Sequence, residues 1–204
     1  MKPPAPAVPA PPPIEKPDIV VPDAGPLISL ARAGLLHLLH EAGGAVVVVD
    51  VVAHEVTRDQ DKASAPALLD WMDRGSRPGS NAPVRVEETE VGRAYARLLR
   101  YEPEYRMRNG GETAILEWLA DKVAGTDRAT IVLYENGRVP GIVAGQNLDA
   151  DIDVLTTRAF LDLAERRGLI PSAGAVWRRV LDAAPTANPR VEASLQRRTR
   201  DGAG

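Results

Sequence analysis

The chain has 204 residues, a net charge of −3 and a hydrophobic content of 44%, values that suit one medium-sized domain with a sizeable core. The absence of cysteine excludes disulfides and thiolate metal sites, and the net charge excludes strong attraction of the whole surface to nucleic acid. No apolar run is long enough to cross a membrane and the N-terminus lacks the apolar segment of a signal peptide, so we expect a cytoplasmic protein.

Both ends of the chain are predicted to lie outside the folded domain. Residues 1–17 contain eight of the eighteen prolines, so we expect a disordered or polyproline II segment that is either a spacer or a ligand for an aromatic groove. Residues 185–204 are predicted to form a flexible basic tail, either simply solvated or able to touch a phosphate backbone. Residues 18–184 remain as the predicted folded domain.

Strand and helix patterns alternate through this central part. Strands are predicted from β-branched and apolar runs at 19–21, 45–49, 130–134 and 152–155, with a short extended piece at 84–86. Helices are predicted at 27–33, 35–41, 51–57, 65–74, 89–99, 112–123, 159–167 and 172–181. The alternation predicts an α/β fold, a mostly parallel central sheet covered by helices on both faces.

Two acidic residues follow directly after predicted strands. Asp23 comes after the first strand and before a glycine–proline turn into a helix, and Glu135 ends the strand at 130–134. Ligands of open α/β sheets collect at the carboxyl ends of the strands. Each acid also has a simpler interpretation, Asp23 as a helix N-cap and Glu135 as an ordinary loop residue.

Two more acids lie on helix faces that we expect to point toward the sheet. Glu55 shares a predicted face with Val51 and Val52. Glu112 heads an apolar stripe whose members follow at +3, +4, +7 and +11, although the helix dipole alone also favours glutamate in a first turn. Glu117 falls on the opposite, polar face and is expected to be an ordinary solvent-exposed residue.

If the strands are neighbours, the four carboxylates converge. At an effective dielectric of about 20, two like charges about 4 Å apart repel by roughly 4 kcal/mol, so such a cluster needs a cation or a raised pKa. Oxygen ligands select hard ions such as Mg²⁺ or Mn²⁺ over zinc. A Mg²⁺ ion held by a few carboxylates suits phosphoryl chemistry.

Four short motifs in this order resemble the PIN-domain family, the metal-dependent nucleases that include VapC-type toxins of toxin–antitoxin pairs. They are Asp23–Ile28, His54–Val56, Gly111–Ala114 and Ile131–Arg138. Val154–Thr157 and Gly168–Ile170 are similar to the closing strand and helix end of one PIN subgroup, so the resemblance covers residues 19–181.

The resemblance implies a PIN-like three-layer α/β/α sandwich and a Mg²⁺- or Mn²⁺-dependent endoribonuclease acting as a toxin. RNA would be the substrate, an antitoxin protein the partner, and a homodimer is possible. Asp23, Glu55, Glu112 and Glu135 match the family's acids and would be catalytic. The metal would be held by Asp23, Glu112, Glu135 and Asn136, with Glu55 supporting the attacking water or a second ion.

Two further groups of residues extend this prediction toward the substrate. Arg138 either offers its guanidinium to the scissile phosphate or is a surface arginine, and Thr156 or Thr157 is a candidate partner for Asp23 or a ligand water. The best basic surface of the chain either carries RNA backbone beside the acids or is a solvated face diluted by Glu102 and Glu104. Its members are Arg93, Arg97, Arg100, Arg106 and Arg108.

One departure from the family pattern keeps other functions open. Where an acid pair is common, the chain has Glu135-Asn136, and an amide can ligate through its carbonyl but brings no charge. A degenerate PIN-like domain that binds RNA or a protein without cleavage is therefore the main alternative. A third possibility is another Mg²⁺-dependent phosphohydrolase on a similar sheet. Against it, Gly25 stands where the haloacid-dehalogenase phosphatases have a second aspartate.

Overall fold

The structure, a computed structural model, describes residues 16–135 and 150–183. The predicted tail at 185–204, most of the tail at 1–17, and the predicted site residues Asn136 and Arg138 lie outside the described residues. Within them, Pro17 is already buried, and its carbonyl accepts a hydrogen bond of 3.0 Å from the N–H of Gly44.

Every predicted strand and helix in the described residues is present, with ends shifted by at most a few residues. The strands are β1 Ile19–Pro22, β2 Ala45–Val49, β3 Val84–Glu87, β4 Thr130–Tyr134 and β5 Ile152–Thr156. The helices are α1 Ala24–Arg32, α2 His37–Ala42, α3 Asp50–Thr57, α4 Ala65–Gly75, α5 Glu90–Leu99, α6 Gly110–Lys122, α7 Thr157–Arg166 and α8 Ala173–Asp182.

The five strands form one sheet in the order β3-β2-β1-β4-β5, and all of its pairings are parallel. The predicted α/β fold with a helix-flanked parallel sheet is therefore confirmed. From β1 the chain builds the sheet first toward β2 and β3 and later, on the other side, toward β4 and β5. The strand order thus reverses between β1 and β4, where open α/β sheets bind their ligands.

The core is aliphatic, as the low aromatic content predicts. β1 and β4 are buried along their whole length, as expected of parallel strands covered on both faces. Trp71 and Trp118 are buried and Trp177 packs partly buried against the same core. Among the described residues no helix combines the length and apolarity needed to cross a bilayer.

A hydrogen-bonded brace joins the start of α3 to the start of α5. The carboxylate of Asp50 accepts hydrogen bonds from the backbone N–H and the hydroxyl of Thr89, at 3.1 and 2.8 Å. The Thr89 hydroxyl in turn accepts from the N–H of Gly92 at 2.9 Å and so caps α5. The brace therefore fixes the start of α5 relative to the start of α3.

Glu117 joins α6 to the same helix end. Its carboxylate accepts hydrogen bonds of 2.6 and 3.0 Å from the N–H groups of Glu90 and Val91, which open α5. The prediction that Glu117 is an ordinary solvent residue is wrong, because a carboxylate at a helix N-terminus satisfies free N–H groups and meets the positive end of the dipole. α5 and α6 are therefore held together beside the sheet.

Candidate functional site

Asp23 follows β1 at the strand-order reversal and is only 9% exposed. Its N–H donates to the carbonyl of Leu133 in β4, at 2.8 Å, which ties the residue to the neighbouring strand. It occupies the N-cap position of α1, yet its side chain makes no capping hydrogen bond. The interpretation of Asp23 as a side-chain cap of α1 is therefore wrong, although the N–H of Ala24, the first residue of α1, acts on its carboxylate.

The environment of Asp23 raises the pKa of its carboxyl group from 3.8 to about 6. Burial is the largest cause, partly offset by the backbone N–H of Ala24, and the negative charges of Glu55, Glu112 and Glu135 raise the pKa further. All four predicted acids are thus close enough to interact electrostatically at one place. Above pH 6 the cluster carries buried negative charge that a cation would stabilise.

Glu112 lies in the first turn of α6 and is 7% exposed. The helix begins after Asn109, whose left-handed backbone (φ 57°) is tolerated better by asparagine than by most residues. Ile115, Leu119 and Val123 are buried, so the predicted apolar stripe headed by Glu112 is confirmed. Its Oε2 is buried and has no hydrogen-bond partner in the part of the chain that the structure describes.

Gly111 brings α6 against β1 and α3. A Cβ at this position would lie 3.0 Å from Oδ1 of Asp23, 3.0 Å from a methyl group of Val52 and 3.7 Å from Oε2 of Glu55. Oδ1 of Asp23 and Oε2 of Glu55 therefore both lie within 4 Å of the position that a Cβ at Gly111 would occupy. The glycine before Glu112 thus allows a close approach of helix and acids, in addition to the tight helix entry that the Gly-Gly pair predicts.

Glu55 lies on the solvent-exposed side of this group of acids. Val51 and Val52 are buried, but Glu55 is exposed, so the prediction that it points inward with them is wrong. Glu55 lies one turn further along, near the end of this eight-residue helix. The carboxylate is nevertheless partly desolvated, which raises its pKa, while the positive charges of Lys62 and Arg106 oppose that rise.

Glu135 follows β4 and is exposed. Its Oε2 would lie 3.0 Å from a Cβ at Gly25, so the absence of a side chain in the first turn of α1 lets this carboxylate approach. Its Oε1 accepts a hydrogen bond of 3.0 Å from the hydroxyl of the buried Thr157. Of the two partners predicted for Thr156 or Thr157, Asp23 is wrong, because Thr156 caps α7 and Thr157 follows β5, the strand next to β4. The ligand water stays a prediction.

The donor set fits a hard divalent cation, since carboxylate oxygens are the ligands that Mg²⁺ and Mn²⁺ prefer. Within residues 16–135 and 150–183, no three acidic or histidine side chains are close enough to hold a metal ion as they stand. Asp23 and Glu112 are buried, whereas Glu55 and Glu135 are exposed, and Oε1 of Glu135 is held by the hydroxyl of Thr157. The unpartnered Oε2 of Glu112 supplies a free ligand atom.

The predicted basic surface is divided by the structure. Arg93 forms ion pairs with Glu88 and Glu90 at the start of α5, so its positive charge is already paired there. Arg106 instead acts on the pKa of Glu55 and therefore lies toward the acids.

A comparison with family models gave a match over part of the folded chain. Residues 19–98 match a PIN-domain family. The matching model is described as DUF3368, PIN domain. The match contains Asp23 and Glu55, whereas Glu112 and Glu135 lie beyond it. Comparisons with curated proteins and with solved structures gave no match.

The matched residues include β1, β2 and β3 and two of the four acids. Two features of the site were not predicted. Thr157, a predicted partner for Asp23 or a ligand water, bonds Glu135, and Gly25 leaves the space in which the Glu135 side chain lies. Gly25 has a detectable signal, because it stands two residues after a strand-end aspartate in the Asp23–Ile28 motif. The pairing of Thr157 with Glu135 depends on which strands are neighbours, and a single sequence does not show that.

Proposed function

We propose that this chain is a metal-dependent endoribonuclease that hydrolyses RNA phosphodiester bonds in the cytoplasm and acts as the toxin of a toxin–antitoxin pair. The observation that carries the proposal is that Glu55, Glu112 and Glu135 act electrostatically on the buried Asp23, at the strand-order reversal of a sheet whose first three strands lie in the PIN-matching residues. Such a cluster has no structural purpose that an apolar residue would not serve better, because buried like charges destabilise a fold.

Asp23 and Glu112 would hold a Mg²⁺ or Mn²⁺ ion together with Glu135, and with Asn136 through its amide carbonyl. When bound, such an ion neutralises charge on the phosphate and lowers the pKa of water. Thr157 fixes Oε1 of Glu135 and leaves Oε2 available. Glu55, whose pKa is raised, can orient the attacking water and accept its proton at Oε2. Arg138 is proposed to contact the scissile phosphate.

The proposal is tested by RNA cleavage with the purified full-length chain and Mn²⁺. We expect wild-type cleavage that EDTA stops, and a loss of at least about 100-fold in Glu112→Gln, because changing even the outer partners of metal ligands costs about 10–100-fold. Glu41→Gln, at an exposed position of α2, is the matched control and should cleave like wild type. Equal cleavage by Glu112→Gln and wild type would contradict the assignment.

The same experiment addresses the alternative of a PIN-like domain that binds RNA without cutting it. The observation that favours this alternative is Asn136, which replaces a charged acid with a neutral amide. Retained RNA binding together with no Mn²⁺-dependent cleavage by any variant would favour the binding module. The antitoxin and the homodimer remain predictions of the family resemblance.

A further inference from the structure

Between α5 and α6 the chain forms an exposed loop, residues 101–108, which we call the tyrosine loop. Tyr101 is 86% exposed and Tyr105 is 37% exposed, which is unusual for aromatic side chains in a protein with only 4% aromatic residues. Arg106 and Arg108 are also exposed, and no ion pair holds either of them within the described residues. Aromatic rings interleaved with free guanidinium groups are typical of surfaces that bind single-stranded nucleic acid.

The loop is held in place rather than left free. Arg58, which follows the last residue of α3, donates from Nη1 to the carbonyl of Tyr105 at 3.2 Å and from Nη2 to the carbonyl of Pro103 at 3.4 Å. The hydroxyl of Tyr95 donates to the same Tyr105 carbonyl at 3.1 Å, and the two tyrosine rings lie 6.1 Å apart. A positioned loop presents its free side chains without a large ordering cost on binding.

The anchors of the loop are the two helices that carry site acids. Arg58 lies three residues after Glu55, and the loop runs directly into α6, where Glu112 is the third residue. Arg106 lies close enough to Glu55 for its charge to act on that carboxylate. Glu102 and Glu104 add negative charge, but Glu104 lies 4.0 Å from Arg58, on the tethered side of the loop.

We propose that the tyrosine loop is a substrate-binding subsite in which Tyr101 stacks on an unpaired base of the RNA, while Arg106 and Arg108 bind the phosphates that lead to the acids. The proposal rests on the function proposed above and adds the surface and the residues that receive the strand. Stacking needs an unpaired base, because the faces of paired bases are covered inside a duplex. The subsite should therefore prefer a single strand.

The test measures binding of the full-length chain to a labelled, unstructured RNA of about 12 nucleotides, by fluorescence anisotropy in EDTA so that no cleavage occurs. Tyr101→Ala should weaken binding at least about fivefold, whereas Tyr101→Phe, which keeps the ring, should bind within about twofold of wild type. A duplex of the same sequence should bind Tyr101→Ala and wild type equally.

The double variant Arg106→Ala with Arg108→Ala should reduce the slope of log affinity against log salt concentration by about 1.4.

Matched controls are available on α8, where Leu181 is 37% exposed and Arg178 is exposed. The neighbouring Arg179 bonds the carbonyl of Ala33 at the end of α1 away from Asp23. Leu181→Ala and Arg178→Ala should leave binding unchanged. Single-strand binding by Tyr101→Ala equal to wild type, an equal loss in the controls, or tighter binding of single-stranded DNA than of RNA would overturn the proposal.

Adding Mn²⁺ separates this proposal from the proposed nuclease function. If the wild type cleaves RNA and Tyr101→Ala cleaves it with the same KM, the loop proposal is wrong and the nuclease stands. If the wild type binds RNA through Tyr101 but cleaves nothing, the loop proposal stands and the nuclease is wrong.

Discussion

Asp23→Asn should unfold at a higher temperature than the wild type at pH 8 without metal, and should cleave RNA at least about 100-fold more slowly. The gain in stability follows from the raised pKa of the buried carboxyl group, about 6 against an ordinary 3.8. Each unit of pKa shift corresponds to about 1.4 kcal/mol, so ionised Asp23 lowers the free energy of unfolding by roughly 3 kcal/mol. A neutral amide of the same shape removes that penalty.

The direction of the pKa shift at Asp23 determines how the stability of the wild type changes with pH. Between pH 3.8 and 6 the folded state binds more protons at Asp23 than the unfolded state, so the wild type loses stability as pH rises through this window and carries the full penalty above it. His40 and His54 have lowered pKa values and act in the opposite direction. Because both histidines are unchanged in Asp23→Asn, the difference between the two proteins reports Asp23 together with its interactions with Glu55, Glu112 and Glu135.

Chemical denaturation of both proteins from pH 4 to pH 8 measures this difference directly. The curves should lie close together near pH 4 and separate as pH rises to 6 and above. Asp153→Asn is the control, because Asp153 is an exposed aspartate on β5, and its curve should follow the wild type. A constant difference between Asp23→Asn and wild type at every pH would show that burial of the charge is not its cause.

Gly92→Ala should lower the free energy of unfolding by roughly 3–5 kcal/mol. A Cβ at this position would overlap the carboxylate of Asp50, which would have to leave its two hydrogen bonds to Thr89. Overpacking costs about 1–3 kcal/mol and hydrogen bonds to a charged group contribute about 1.5–3 kcal/mol. The capped start of α5 would be lost with them.

Thermal and urea unfolding of Gly92→Ala and Gly174→Ala provide the comparison. A Cβ at Gly174 in α8 would meet only the Ser172 hydroxyl, at 3.8 Å, so this change should be neutral or should stabilise by up to about 1 kcal/mol through helix propensity. Equal stability of the two variants would show that the Asp50–Thr89 brace does not hold α5.

The strands and most helices were predictable because their hydrophobic periods are local. β4 is predicted at its observed residues, since a continuous apolar run identifies a buried parallel strand. The burial of Glu112 was equally visible, because Ile115, Leu119 and Val123 recur on its face of α6. Within such elements, side-chain direction follows from position in the helix or strand.

The errors arise where a residue's environment is set by a distant part of the chain. Glu55 has the pattern of an inward residue, yet it is exposed, because exposure depends on which elements pack against α3 and not on the period of the helix alone. Glu117 finds its partners 26 and 27 residues away in the first turn of α5. Thr157 bonds Glu135 because β4 and β5 are neighbours, and strand order is a property of the assembled sheet.

The central claim, that Asp23 and Glu112 form a cation site, is tested most directly by Mn²⁺ binding to the apo protein at pH 7.5, followed as an increase in thermal stability. We expect the wild type to be stabilised by about 2.7 kcal/mol when the Mn²⁺ concentration is 100 times its Kd. Asp23→Asn and Glu112→Gln should lose most of this stabilisation, whereas Asp153→Asn should keep it. An equal response in all four proteins, or none in the wild type, would contradict the account.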